Sequence, residues 1–170
     1  MSEYIDFYLG KKNKDGISID DVLKYDYFQL ESEHHYIQFC FILMEPSEYH
    51  RGLPLLSIQD IRKFKEDKEV KKKMIRMFLK MLDFYGLKCV IEENGMSITK
   101  AENYDNRKGE WQTGQNHNFL RITRILTSLK LFGFNKLSNA FYDCLIELFH
   151  ENPEGFNAIS IDYWTKAIEE

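Results

Sequence analysis

The chain has 170 residues, 44% hydrophobic and 29% charged, a composition that suits one soluble globular domain over residues 1–170 and excludes a disordered one. Its 23 basic and 27 acidic residues leave a formal charge of −4, so no overall basic field draws it to nucleic acid or to an anionic membrane. Aromatic residues reach 15%, with 13 Phe and 10 Tyr, which predicts a core built from rings more than from aliphatic layers.

The first residues, Met1 to Asp6, place acids where a signal peptide has bases. The longest apolar stretch, Tyr36 to Met44, is interrupted by Gln38 and is about half the roughly 20 residues that span a membrane, so no transmembrane segment is expected. Lys11 to Gly16 reads as a polar turn, and Ser18 can cap a short helix through Lys24. A second helix is predicted over Gln29–Leu43, its end marked by Pro46. Glu45 to Pro54 reads as a loop that Tyr49 and Leu53 can anchor.

Ser57 and Asp60 form a capping-box pattern that opens a helix to about Glu66, and Asp67 can cap the next, which runs to Tyr85 and stops at Gly86. On that helix Val70, Met74, Met77, Phe78, Met81, Leu82 and Tyr85 share one face, while Lys72, Arg76 and Lys80 lie opposite and read as a solvated surface. Lys88–Glu92 and Met96–Lys100 flank Asn94-Gly95, a strong hairpin signal. Ala101 to Gly114 is polar and irregular, with a lone Trp111. A helix from Asn116 to Phe132 ends at Gly133, and two more follow near Leu137–His150 and Ile159–Ile168, separated by Asn152-Pro153-Glu154-Gly155. The expected fold is mainly α, about six helices in a single globular domain with one short β-hairpin. Met74, Phe78, Met81, Leu82, Tyr85, Ile122, Ile125, Leu126 and Leu129 should be buried.

Three segments carry a resemblance. The first is Leu30-Glu31-Ser32-Glu33-His34-His35-Tyr36-Ile37-Gln38, followed by Phe41 and Glu45-Pro46-Ser47; the second is Met81-Leu82-Asp83-Phe84-Tyr85-Gly86-Leu87. The third is His117-Asn118-Phe119-Leu120-Arg121-Ile122-Thr123-Arg124-Ile125-Leu126 with Ser128-Leu129, and Ala101-Glu102-Asn103-Tyr104 with Arg107 sits before it. In order and spacing, from about Phe7 to Trp164, they are similar to the motifs of the opioid growth factor receptor conserved domain. Ile42 stands where that family usually has proline, which bears on where the second helix ends.

The resemblance implies an intracellular protein, in cytoplasm or nucleus if eukaryotic and in cytoplasm if bacterial, unrelated to seven-helix opioid receptors. Animal members are described as receptors for enkephalin peptides that restrain proliferation, and they carry long tails with repeats beyond this domain. Cys40, Cys89 and Cys144 lack any paired spacing and read as reduced thiols.

On the Asn116–Phe132 helix, His117, Arg121, Arg124 and Ser128 are spaced 4, 3 and 4 and form one stripe beside the apolar face. A histidine and two guanidinium groups near a helix N-terminus suit a phosphate or carboxylate. The alternative pairs both arginines with structural carboxylates such as Glu31 or Asp26. Glu31, His34 or His35, and Gln38 make a second stripe, in which a histidine beside a carboxylate could move protons.

The ligand-binding candidates are therefore His34, Gln38, Asn103, Arg107, His117, Asn118, Arg121 and Arg124, lining one polar cleft for a peptide or small anionic ligand. No catalytic residue, metal site or cofactor is assigned: His34, His35, Cys40 and His50 lack ligand spacing, and no phosphate-binding loop, dinucleotide fingerprint or nucleophile elbow is present. No specific nucleic-acid binding is expected. Two further readings stand beside the ligand-binding, signalling-type domain: an enzyme acting on a phosphorylated or nucleotide-like substrate, and an interaction scaffold without pocket chemistry.

Overall fold

Several helices of this chain begin where a side chain takes the first orphan backbone N–H groups. The computed structural model describes residues 3–44 and 56–169. Among these residues the order is α1 (Glu3–Tyr8), α2 (Ile19–Val22), α3 (Tyr27–Ser32), α4 (Tyr36–Cys40), α5 (Ile58–Glu66), α6 (Lys68–Tyr85), β1 (Leu87–Glu92), β2 (Gly95–Lys100), α7 (Tyr104–Trp111), α8 (Asn118–Leu131), α9 (Asn135–Glu151), a 3-10 turn at Pro153–Gly155, and α10 (Ala158–Glu169). The fold is mainly helical with one hairpin, as expected. The additional helices are short, α1, α4 and α7 having six, five and eight residues. The expected loop at Glu45–Pro54, with Tyr49, His50 and Leu53, lies outside the described residues.

Residues 1–80 form one compact unit and 81–170 another. In the first, the cap of α5 is reciprocal: Ser57 Oγ accepts from Asp60 N at 3.1 Å, and Asp60 Oδ2 accepts from Ser57 N at 3.0 Å. Ser57→Ala should cost about 1 kcal/mol in urea denaturation. A loss within error of zero would show that the cap adds nothing. Asp67 opens α6, its Oδ1 accepting from Glu69 N at 2.9 Å and Val70 N at 3.0 Å.

The helix expected over Gln29–Leu43 is divided. Asp26 and Gln29 cap α3 reciprocally, and Glu33 then takes an extended conformation. The reason is local: the Tyr36 hydroxyl folds back and donates to the Leu30 carbonyl at 2.7 Å, the acceptor that a continuing helix would give to residue 34. Helix α4 ends at Cys40, so Ile42 lies beyond it, where a proline would be tolerated. Rings pack the core here: Phe39 meets Tyr4 and Phe7 at 5.7 and 5.4 Å, and Tyr8 meets Phe64 edge-on at 5.7 Å. The Tyr8 hydroxyl donates to the Cys40 carbonyl.

In the second unit β1 pairs antiparallel with β2, Leu87 opposite Lys100 and Glu92 opposite Gly95. The turn residues are thus Glu93 and Asn94, one position earlier than the Asn94-Gly95 signal suggests, and Gly95 at φ +127° supplies the conformation that other residues avoid. Trp111, Phe119, Phe149, Phe156 and Trp164 form a continuous ring cluster, and the Trp164 indole N–H donates to the Phe119 carbonyl at 3.0 Å. Ser138 Oγ on α9 donates to the Leu126 carbonyl of α8 at 2.9 Å, tying the two helices where a larger side chain would separate them.

All nine residues expected in the core are buried. Cys40 and Cys144 are buried free thiols and Cys89 is half-buried. Burial and the nearby Glu147 push the Cys144 thiol up to about 12, so it stays protonated. Among the described residues no helix is long and apolar enough to cross a membrane.

Candidate functional site

The end of α6 leaves its last carbonyl groups without helical partners. The next helix supplies them. Asn103, Arg107 and Trp111 recur every four residues, so they project from one side of α7. Asn103 Nδ2 donates to the Asp83 carbonyl at 3.2 Å, Arg107 Nε to the Phe84 carbonyl at 2.8 Å, and Trp111 Nε1 to the Tyr85 carbonyl at 3.0 Å. The Arg107 guanidinium also lies 4.9 Å from the Phe84 ring centre. Gly86 makes this approach close, because a Cβ there would stand 2.7 Å from Tyr104 Cα. Two of the expected ligand residues, Asn103 and Arg107, therefore work as a side-chain cap on α6.

Asn118 is also engaged inside the fold. It is fully buried, its Oδ1 accepts from the Tyr85 hydroxyl at 3.1 Å, and its Nδ2 donates to Asn116 Oδ1 at 3.0 Å. Arg121 is 6% exposed and Arg124 half-buried, and each is engaged in contacts. Ser128, the end of the expected stripe, is completely buried. His34 is exposed and Gln38 half-buried, and both belong to the 1–80 unit, whereas the other six expected residues belong to 81–170. Beside them His35 Nδ1 lies 3.7 Å from Asp15 Oδ2, an ion pair only when the imidazole is protonated.

Within the second unit His117 opens onto a groove of about 570 Å³. The loop before α8 forms one wall. Asn116 Oδ1 accepts from Asn118 N at 2.9 Å, while its Nδ2 donates to the Glu110 carbonyl at 3.2 Å. The start of α10 forms the other wall: Asn157 Oδ1 accepts from Ser160 N at 2.8 Å, and its Nδ2 donates to the Gly114 carbonyl at 2.8 Å. A further bond from Gly114 N to the Gly155 carbonyl, at 3.0 Å, fixes the loop to the 3-10 turn. The first turns of α8 and α10 therefore both border the groove, with the positive ends of their dipoles beside it.

Three large apolar side chains line the same groove and are open to solvent: Leu120 at 59%, Ile159 at 70% and Tyr163 at 51% exposure. Among the described residues His117 is the member of the expected set that lines it. The apolar lining went unread in the sequence, although signals existed. Leu120 falls off the Ile122–Ile125–Leu126–Leu129 face of α8, and Ile159 and Tyr163, four apart, lie apart from buried Trp164 and Ala167. The arrangement offers apolar contact along its floor, amide and imidazole groups along its rim, and two helix N-termini for a negative end. That chemistry suits an amphipathic ligand.

The sequence matches the opioid growth factor receptor conserved region over residues 2–170. It is 36% identical over 158 residues to the opioid growth factor receptor-like protein 1 of Xenopus tropicalis, covering 90% of this chain and 29% of that protein. It is 32% identical over 161 residues to the opioid growth factor receptor of Homo sapiens, covering 90% of this chain and 23% of that protein, and 37% identical over 121 residues to that of Mus musculus, covering 69% and 19%. The chain thus spans less than a third of the length of these relatives. No solved structure gives a significant match.

Proposed function

The chain belongs to the opioid growth factor receptor conserved-region family, and on that premise we propose that it is a receptor-type, ligand-binding domain that takes a short peptide in the groove where α8 and α10 begin. The observation that supports this reading is the exposure of Leu120, Ile159 and Tyr163 side by side with His117 and two helix N-termini. Exposed apolar groups that share a concavity with polar groups mark a binding surface rather than scattered solvent-facing residues.

An enkephalin-type peptide, the ligand class that the family name suggests, brings an aromatic ring for the apolar floor. Its carboxylate would lie toward His117 and the first turn of α8. The groove then reads a ring and an anion held at a fixed separation.

Thermal denaturation with increasing peptide tests this. A ligand at a hundredfold excess over its Kd stabilises by about 2.7 kcal/mol, a rise of roughly 5–10 °C for a domain of this size. Leu120→Ser with Tyr163→Ser should remove most of that rise while leaving the melting temperature without peptide nearly unchanged, since both side chains face solvent. Inorganic phosphate alone should give a much smaller rise, because it fills none of the apolar floor. A full rise in the Leu120/Tyr163 variant would overturn the placement, and no rise with any peptide would overturn the reading itself.

A further inference from the structure

Residues 62–80 hold nine Lys or Arg and three Asp or Glu in a chain whose net charge is −4, so one short segment is strongly positive while the rest is negative. The segment covers the end of α5 and most of α6. The buried side of α6 is fully apolar, through Val70, Met74, Met77 and Phe78. Its solvent side is not simply charged. Lys68, Lys72 and Arg76 form one row at four-residue spacing and are all exposed. Next to it runs the row Lys71–Ile75–Leu79, in which Ile75 is 36% and Leu79 41% exposed.

Internal carboxylates neutralise only part of this face. Lys73 reaches Asp20 at 3.4 Å and Lys72 reaches Glu69 at 3.6 Å within the helix. Among the described residues no carboxylate lies within ion-pair distance of Lys68, Lys71 or Arg76. An exposed aliphatic residue by itself needs no explanation. Two of them a single turn apart, bordered by a row of cations, make the apolar centre and charged rim of a small interface.

We propose that the solvent face of α6 docks an acidic amphipathic helix of a protein partner. Its apolar stripe would lie along Ile75 and Leu79, and its glutamates or aspartates along Lys68, Lys72 and Arg76. The geometry distinguishes this partner from the other polyanions. A nucleic-acid backbone needs cations but no aliphatic pair, and this face offers no aromatic, Asn or Gln side chain for a base. A membrane surface is held by a broad apolar helix face, and the apolar face of α6 is committed to the core. A second helix uses both rows at once, one for packing and one for charge.

The test uses the whole chain and a fluorescein-labelled peptide designed with leucines on one helical stripe and glutamates beside it. Three comparators follow: an oligoglutamate of equal charge, a single-stranded oligonucleotide, and phosphatidylserine-containing vesicles. The amphipathic peptide should bind best by fluorescence anisotropy and weaken with added salt. Ile75→Ser with Leu79→Ser should weaken it about tenfold, and Lys72→Glu with Arg76→Glu by at least as much, which is about 1.4 kcal/mol or more. Circular dichroism should show both variants folded, because each change lies on the solvent side. No binding by the peptide, equal binding of oligoglutamate, tighter binding of oligonucleotide or vesicles, or unchanged affinity in the folded variants would each overturn the proposal. So would concentration-dependent self-association that both variants abolish, since the face would then be taken by a second copy.

Discussion

Gly86→Ala should destabilise the protein by about 4 kcal/mol, far more than the same change at Gly16. Two costs add. Gly86 has φ +80°, where a Cβ meets its own backbone, at roughly 1–2 kcal/mol. The same Cβ would stand 2.7 Å from Tyr104 Cα and 3.0 Å from Arg107 Cβ. Neither neighbour is a flexible side-chain tip, so α7 would have to move away. Moving α7 lengthens the bonds from Asn103, Arg107 and Trp111 to the last carbonyls of α6, and those bonds are what hold the two helices together. Gly16 provides the control, with φ +77° and nothing near its missing Cβ, so Gly16→Ala should show the conformational cost alone, about 1 kcal/mol. Equal losses in urea denaturation of the two variants would mean that α7 yields without cost.

The second large effect belongs to Trp164. Its indole is fully buried, packs edge-on against Phe119 at 5.7 Å and Phe156 at 6.0 Å, and donates to the Phe119 carbonyl at 3.0 Å. Trp164→Ala opens a cavity in the middle of the ring cluster and should cost about 4 kcal/mol. Trp164→Phe keeps a ring and loses the donor. It should cost only about 1 kcal/mol for the hydrogen bond, because the Phe119 carbonyl retains Thr123 Oγ1 at 3.1 Å. Near-UV circular dichroism should collapse in the alanine variant and survive in the phenylalanine one. Phe119 also lines the groove, so the alanine variant should lose the peptide-induced rise in melting temperature as well. If alanine and phenylalanine prove equally mild, the cluster is not the centre of the second unit.

What the sequence shows depends on how each element is held. Helices α6 and α8 were legible because their apolar residues repeat at helical spacing, and Ser57 and Asp67 were legible because a cap needs a short polar side chain at one position. Helix α7 was not, because it carries only Tyr104 and Trp111 as buried residues and is recruited by side-chain bonds to another helix's carbonyls. No periodicity records that. The break at Glu33 was hidden for a similar reason: it rests on one hydroxyl, Tyr36, six residues from its acceptor. The candidate site divides in the same way. His117 was expected from its place at a helix start beside polar neighbours, and it lines the groove. Asn103 and Arg107 were expected through a motif, and their spacing of four, continued by Trp111, is that of their bonds to the last carbonyls of α6. Seen in three dimensions, the Phe84-Tyr85-Gly86 and Asn103…Arg107 motifs are the two halves of a single joint.

That joint also determines how the hairpin belongs to the chain. Ala101 N donates to the Gly86 carbonyl at 2.9 Å, so the ribbon leaves and returns at one point, and its tip at Glu93 and Asn94 is exposed. The fourteen residues of β1, turn and β2 are a closed detour from the helical path. The chain on either side would meet at the same place whether the detour were longer or shorter by a pair of residues. Length variation, a spliced epitope or a reporter peptide would find a natural home at that tip, with the helical framework unaware of the addition.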